Sequence, residues 1–323
     1  MELMAPLAFL PMASFLFLGP IPVSSELSIS FYDKSCPGME DKISHVIREK
    51  MTEGQSITAP ATLRLFFHDC FVQGCDGSVL ISSTEGNKAE RDADINLSLA
   101  GDSLDAVLRA KKILEEMCPG VVSCADILAV LARDSTVAMN GPSWSVLKGR
   151  RDSRTSIAFL AAAELPTSSA NLTQLINQFA SKGLTSLDLV ALSGAHTAGS
   201  AHCIEVVERL RRRDPTMDPD FRASLLASCP LSLRDNEVVV TFDDTPFVFD
   251  NLFFKKLKER KALLTSDQTL LSGDDHIREA VFRYAENETL FFQEFAAAMQ
   301  KIGSVGVLTG AQGEVRKDCI KIN

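Results

Sequence analysis

The stretch Ala61-Thr62-Leu63-Arg64-Leu65-Phe66-Phe67-His68-Asp69-Cys70-Phe71-Val72-Gln73-Gly74-Cys75-Asp76-Gly77-Ser78-Val79-Leu80 sets a base, a fixed cation and several oxygen-bearing side chains into an otherwise apolar run. Arg64 precedes His68 by four positions, and on a helix that spacing puts guanidinium and imidazole on one face, about 5–6 Å apart at Cβ. Two polar residues on a solvated face would be the plainer reading, but Leu63, Leu65, Phe66 and Phe67 around them argue against it. A base and a cation inside an apolar wall suit general acid–base work on a small polar substrate. Just downstream, Asp69, Asp76 and Ser78 offer hard oxygen ligands on a turn that Gly74 and Gly77 permit. Such a turn suits calcium although it lacks the EF-hand spacing, and a polar turn without metal is the alternative these residues leave open.

Only five histidines exist, His45, His68, His196, His202 and His276. His196 lies in Ala191-Leu192-Ser193-Gly194-Ala195-His196-Thr197. Ser193 invites a hydrolase reading, but Ala191 stands where a nucleophile elbow needs its first glycine. No HExxH pattern supports a zinc protease. What remains is two histidines in apolar surroundings, with enough helix around them to hold a cofactor between them.

Helical periodicity dominates the chain. Residues 103–117 repeat apolar side chains at three- and four-residue spacing, and residues 124–139 are nearly all apolar, which predicts a buried helix. Helices are also expected over 172–181, 187–192 (with Thr185 and Asp188 as a capping box), 249–259, 277–286 and 289–302. Strand patterns are scarce, with candidates at 237–241 and 144–147. The class is therefore mainly α. The breaks at Cys118-Pro119-Gly120, Asn140-Gly141-Pro142 and Leu165-Pro166 separate helices rather than domains.

With 323 residues, 46% hydrophobic and 23% charged, the chain can bury a large core and is not disordered as a whole. Its 33 Lys and Arg against 42 Asp and Glu give a net charge of −9, which repels phosphate backbones and argues against nucleic acid as a partner. The basic run Arg209, Arg211, Arg212, Arg213, beside Glu208 and Asp214, reads as a solvated helix face.

Residues 3–18 form an apolar stretch broken by Pro6 and Pro11, too short to span a bilayer comfortably but suited to a secretory signal. Val23 and Ser25 supply small residues for cleavage, so residues 1–25 are expected to be a signal peptide and 26–323 one mature domain. Glu2, where a base is usual, fits this imperfectly. No second apolar run of that length follows, so no membrane attachment is expected after removal. The eight cysteines are an even set, the arithmetic of a disulfide framework in an oxidising compartment, with 105 possible connectivities. Their spacings are too wide for zinc-binding CxxC pairs.

Arg64-Leu65-Phe66-Phe67-His68-Asp69-Cys70-Phe71, Gly74-Cys75-Asp76-Gly77-Ser78, Val122-Ser123-Cys124-Ala125-Asp126, Gly149-Arg150-Arg151-Asp152-Ser153 and Ala191-Leu192-Ser193-Gly194-Ala195-His196-Thr197, in that order, strongly resemble the secretory class III plant peroxidases. The resemblance runs from Phe31-Tyr32 to Cys319. It implies an all-α haem peroxidase fold, two helical halves sandwiching a b-type haem with minor short β elements. In that frame His196 resembles the iron ligand, and Asp267 the carboxylate that accepts its other N–H. His68 resembles the base that moves a proton between the oxygens of hydrogen peroxide, and Arg64 the cation that stabilises charge as the O–O bond breaks. Asn96 resembles the amide that fixes the tautomer of His68, with Glu90 behind it. Phe67 would pack over the haem, and the carbonyl of Pro166 would hold a phenolic donor near its edge.

The family also implies two calcium ions. The distal one would use Asp69, Asp76 and Ser78 with the carbonyls of Val72 and Gly74. The proximal one would use Thr197, Thr245 and Asp250, the carbonyl of Val248 and one further aspartate. Implied disulfides are Cys36–Cys118, Cys70–Cys75, Cys124–Cys319 and Cys203–Cys229. The expected partners are hydrogen peroxide and small phenolic donors, for a monomer secreted to the extracellular space or cell wall.

The chain departs from the family pattern in three places. Phe66 stands where His is common, and Ser98-Leu99-Ala100-Gly101-Asp102 replaces a more frequent Arg-Gly-Phe version. The segment Phe242-Asp243-Asp244-Thr245-Pro246 is one residue short, with Phe242 where an aspartate is usual, so Asp243 is expected to swing into the vacant ligand position. Of three sequons, those at Asn171 and Asn287 can carry glycans, a sequon being only permissive, whereas Asn96 must face His68 and stay bare. The alternative function is a catalytically silent extracellular binding or structural protein, which would be expected to lose Arg64, His68 or Asn96; all three are present.

Overall fold

The computed structural model describes residues 27–229, 231 and 238–323; the expected signal segment and residue 237 of the expected strand lie outside them. The first half of the chain builds α1 (Met39–Thr52), α2 (Thr58–Phe71), α3 (Gly101–Met117) and α4 (Cys124–Ala138), which pack on one another. The second half adds α5 (Ala158–Glu164), α6 (Leu172–Ser181), α7 (Ser186–Ser193), α8 (Cys203–Arg211), α9 (Pro219–Ser228), α10 (Leu252–Lys258), α11 (Thr265–Gln268), α12 (Asp275–Glu286) and α13 (Glu288–Ile302). Two three-residue strands, β1 (Ser200–His202) and β2 (Val239–Thr241), pair antiparallel with Ser200 opposite Thr241.

α4 is central because it has no polar face to give to water: residues from Cys124 to Ala132 are all buried. Its N-terminus is closed by Ser123, whose Oγ accepts from the Asp126 N–H at 3.2 Å. Asp126 is buried and fully partnered, accepting from the Tyr32 hydroxyl, the Gly149 N–H and Arg150 Nη1 at 2.7–2.8 Å. In the second half, α7 packs on α12 and α13. Asn171 and Thr185 start α6 and α7 with capping boxes. One apolar core runs through both halves, and a smaller one lies under α8 and α9.

Cys36–Cys118, Cys70–Cys75, Cys124–Cys319 and Cys203–Cys229 are joined. Near the second of these, Gly74 lies against Gly306 so closely that a Cβ on Gly74 would sit 2.4 Å from the Gly306 carbonyl oxygen.

Two expectations are corrected. Residues 144–147 form no strand; Trp144 packs edge-on against Phe295, and only the following Lys148 pairs, in an isolated bridge with Ser28. The alternation there reflects core packing without a neighbouring strand. Arg209 is not on a solvated face. It is buried, pairs with Asp214 at 2.6 Å and donates to the carbonyls of Ala262, Leu263 and Leu264 beneath α8. Arg211, Arg212 and Arg213 are exposed.

Candidate active site

α2 carries Arg64, Phe67 and His68 on one face. His68 is buried, and its Nδ1 lies 2.6 Å from Asn96 Oδ1. The amide of Asn96 is itself oriented, because Nδ2 donates to the Glu90 carbonyl at 2.8 Å. Oδ1 therefore faces the imidazole as acceptor, Nδ1 must carry the proton, and the Nε2 lone pair is left free. Burial, then the Arg64 charge, push the His68 pKa down to about 3 against the Asn96 hydrogen bond, with neighbouring His196 a smaller contribution, so the ring is neutral.

Arg64 lies deep in the fold, yet its side chain is open to solvent, the mark of an internal crevice. Burial pulls its guanidinium below the ordinary value while Glu205 pushes it up, and it remains a cation. Phe67 is half-buried, stacks on Phe71 with centroids 4.7 Å apart and reaches Phe179 at 6.2 Å, walling the crevice.

His196 stands on the short 3-10 turn Gly194–Thr197 that follows α7. Its Nδ1 is 2.8 Å from Asp267 Oδ1, and Asp267 is 2% exposed. A carboxylate can only accept, so Nδ1–H points to Asp267 and Nε2 is again the free lone pair. The imidazole is 38% exposed, although Gly194 and Thr197 of the same turn are buried. Ser193 is turned away: its Oγ donates to the Leu189 carbonyl at 2.8 Å, so no Ser–His pair forms and the hydrolase reading falls.

The calcium-ligand candidates fall in two places. Distally, Asp69 is fixed by the N–H groups of Gly77 and Val79, Asp76 by that of Ser78, and Val72 is buried beside them. Glu90 enters this group by its carboxyl, which accepts from Ser78 Oγ at 3.2 Å, so it meets Asn96 through its backbone alone. Burial and the adjacent Asp76 push the Asp69 carboxyl well above the ordinary range, and burial with Asp69 and Asp76 raises Glu90 to about 9. Buried carboxyls crowded in this way suit a divalent cation. Proximally, Thr197 Oγ1 lies 2.7 Å from Asp243 Oδ2 and 3.0 Å from Asp250 Oδ1, and Thr245 Oγ1 bonds both aspartates. Val248 sits in the same loop, its N–H bonded to the Thr245 carbonyl. Asp244 points outward to Lys256. Among the described residues no three His, Cys, Asp or Glu side chains converge as a metal site, so a cation at either place would also need hydroxyl and carbonyl oxygens, which calcium accepts.

Pro166 is half-buried in the loop between α5 and α6, which the Ser266 N–H ties, through the Ser168 carbonyl, to the segment bearing Asp267. Two neighbours of the site escaped sequence reasoning. Phe242 stacks on His196, and Ser98 binds the Arg64 guanidinium. The displaced acid at 242 was the one visible hint of the first.

A family model described as peroxidase matches residues 43–287. The chain is 46% identical over 310 residues to Peroxidase 31 of Arabidopsis thaliana, covering 95% of this chain and 97% of that one. It is 48% identical over 305 residues to Peroxidase 63 (93% and 91% covered) and 45% over 307 residues to Peroxidase 55 (93% and 92%), both from the same plant. These matches favour an enzyme over a silent relative and imply a haem cofactor. The free lone pairs of His68 and His196, on rings near enough for the second to lower the pKa of the first, suit such a group. The chain belongs to the peroxidase family, in its class III plant branch, and is an enzyme that acts on hydrogen peroxide.

Proposed function

We propose that the chain, secreted and cut near Glu26, uses a b-type haem and two calcium ions to oxidise small phenolic donors, two per peroxide, as a monomer in the cell wall or extracellular space. The balance is one hydrogen peroxide and two phenols to two waters and two phenoxyl radicals. The observation that carries this reading is the pair of oriented imidazoles: Nε2 of His68 and Nε2 of His196 are both free because Asn96 and Asp267 hold the other nitrogens. Such radicals cross-link wall phenols, and their formation removes peroxide.

The haem, when bound, supplies the redox-active iron through which electrons pass from donor to peroxide. His196 would hold that iron by Nε2, and Asp267 makes the ring a stronger donor by accepting its Nδ1 proton. Nε2 of His68 takes a proton from one peroxide oxygen and returns it to the other, which leaves as water. Arg64 stabilises negative charge on the departing oxygen. Phe67 keeps bulky donors off the reacting centre, and the Pro166 carbonyl accepts the donor hydroxyl.

The test is the haem-reconstituted chain with His68→Ala and His196→Ala. His196→Ala is expected to lose stable haem binding, seen as loss of the Soret band. His68→Ala is expected to keep it while peroxide reduction slows roughly 10²–10⁴-fold. Equal haem loss in both variants would reverse or destroy the assignment.

A further inference from the structure

We propose that Ser98 is a positioning residue that holds Arg64 in register with His68. The inference rests on the reading of Arg64 as the cation that faces peroxide. An arginine side chain open to a crevice has many rotamers available to it, so something must hold it if it is to act without reorganising. Here Nη1 donates to the Ser98 carbonyl at 3.0 Å and Nη2 to Ser98 Oγ at 3.0 Å, with a longer contact from Nη2 to the Ile95 carbonyl at 3.5 Å. A planar fork meeting two oxygens of a single residue has both its position and its plane fixed.

The donor count leaves the group usable. Of five N–H groups, these contacts take three, leaving Nε–H and one Nη1–H for a ligand. Ser98 is also only two residues beyond Asn96. The Asn96 N–H bonds the Ala93 carbonyl at 2.8 Å and the Leu99 N–H bonds the Asn96 carbonyl at 2.9 Å, which closes this turn. The same turn thus grips the base through Asn96 and the cation through Ser98. Their relative placement is set from outside α2 as well as by the four-residue spacing along it.

The experiment uses the haem-reconstituted full chain with Ser98→Ala, Ser98→Thr and Arg64→Leu, and the double variant. Fluoride affinity of the ferric protein, read from the Soret band, reports the guanidinium without turnover, and kcat/KM for peroxide is compared with kcat/KM for a phenolic donor. Ser98→Ala is expected to weaken fluoride and lower kcat/KM for peroxide by roughly tenfold, the worth of one charge-assisted hydrogen bond, with the donor value and Tm unmoved. Ser98→Thr should recover both, and Ser98→Ala should add nothing once Arg64 is Leu. An unchanged fluoride affinity, or the same loss in the Arg64→Leu background, overturns the role of Ser98. If Arg64→Leu itself leaves fluoride and peroxide untouched, the reading of Arg64 fails instead. Should Ser98→Ala not fold, the isosteric pair Ser98→Thr and Ser98→Val decides by the same readouts.

Discussion

The ring of Phe242 lies parallel to the imidazole of His196, with centroids 4.3 Å apart and an interplanar angle of 4°. Phe253 closes the same imidazole edge-on at 6.1 Å. Together with the Asp267 hydrogen bond, these contacts leave His196 one orientation, with Nε2 as its free nitrogen. An iron ligand needs that restraint, because a ring free to turn loses bond strength.

Phe242→Ala should therefore speed haem loss by roughly three- to tenfold, the worth of an aromatic pair, when the holo protein is mixed with excess apomyoglobin. Phe242→Leu, which keeps bulk without a flat face, should fall between. Identical rates in all three proteins would mean that stacking does not restrain His196.

Acid stability should depend on Glu40, which joins α1 to Arg133 of α4 and to the almost fully buried Lys148. Burial pushes its carboxyl up, but the hydrogen bonds from Lys148 and Arg133 outweigh that and hold it below the ordinary 4.5. A depressed folded value means the stabilisation is complete above the unfolded value and is lost as pH falls through the folded one. Glu40→Gln is expected to cost about 1–3 kcal/mol at pH 7 by urea unfolding. The gap from the parent should narrow once pH falls below the ordinary carboxyl value and close as it passes the lowered, folded one; a gap constant with pH would contradict this.

Glycan mass should appear on Asn171 and Asn287 and not on Asn96. The first two are exposed, and each caps a helix through Oδ1, accepting from Gln174 and Leu290, which leaves Nδ2 for a sugar. Asn96 is 2% exposed and has both amide atoms committed, to His68 and to Glu90. Peptide mapping of protein from a plant secretory host decides it; a glycan on Asn96 would remove that residue from the network around His68.

The residues of α2 were legible because a base, a cation and their apolar wall lie within one helix, where a four-residue spacing already states proximity. The all-apolar α4 was legible for a similar local reason. Phe242 and Ser98 were not, since each acts on a residue over thirty positions away and nothing in a loop's composition says where it will fold back. Arg209 failed in the opposite sense. Its charged neighbours suggested solvent, whereas the carbonyls it satisfies belong to a segment some fifty residues on. β1 is three residues long, too short for alternation to register.

The shortened loop after β2 supports a definite choice between two adjacent acids. Asp243 is buried, with its oxygens directed at Thr197 and Thr245, and burial with the like charge of Asp250 raises its pKa against those hydrogen bonds. Asp244 is 75% exposed and makes a surface pair with Lys256, an interaction worth about 0–1 kcal/mol. Two carboxylates, two hydroxyls and a loop carbonyl approach the six to eight oxygens calcium takes, and its tolerance of irregular geometry lets a loop one residue short serve. Asp243→Asn is thus expected to reduce calcium from two per chain to one by atomic absorption, and Asp244→Asn to leave it at two. The proximal group includes the partly open Val248 and Asp250, whereas Asp69 and Asp76 are buried, so a chelator should empty the proximal place first. Because Thr197 adjoins His196, that first loss should shift the Soret band, and the second should follow more slowly. Two calcium ions retained by Asp243→Asn, or loss from the distal place first, would show that the loop binds in some other way.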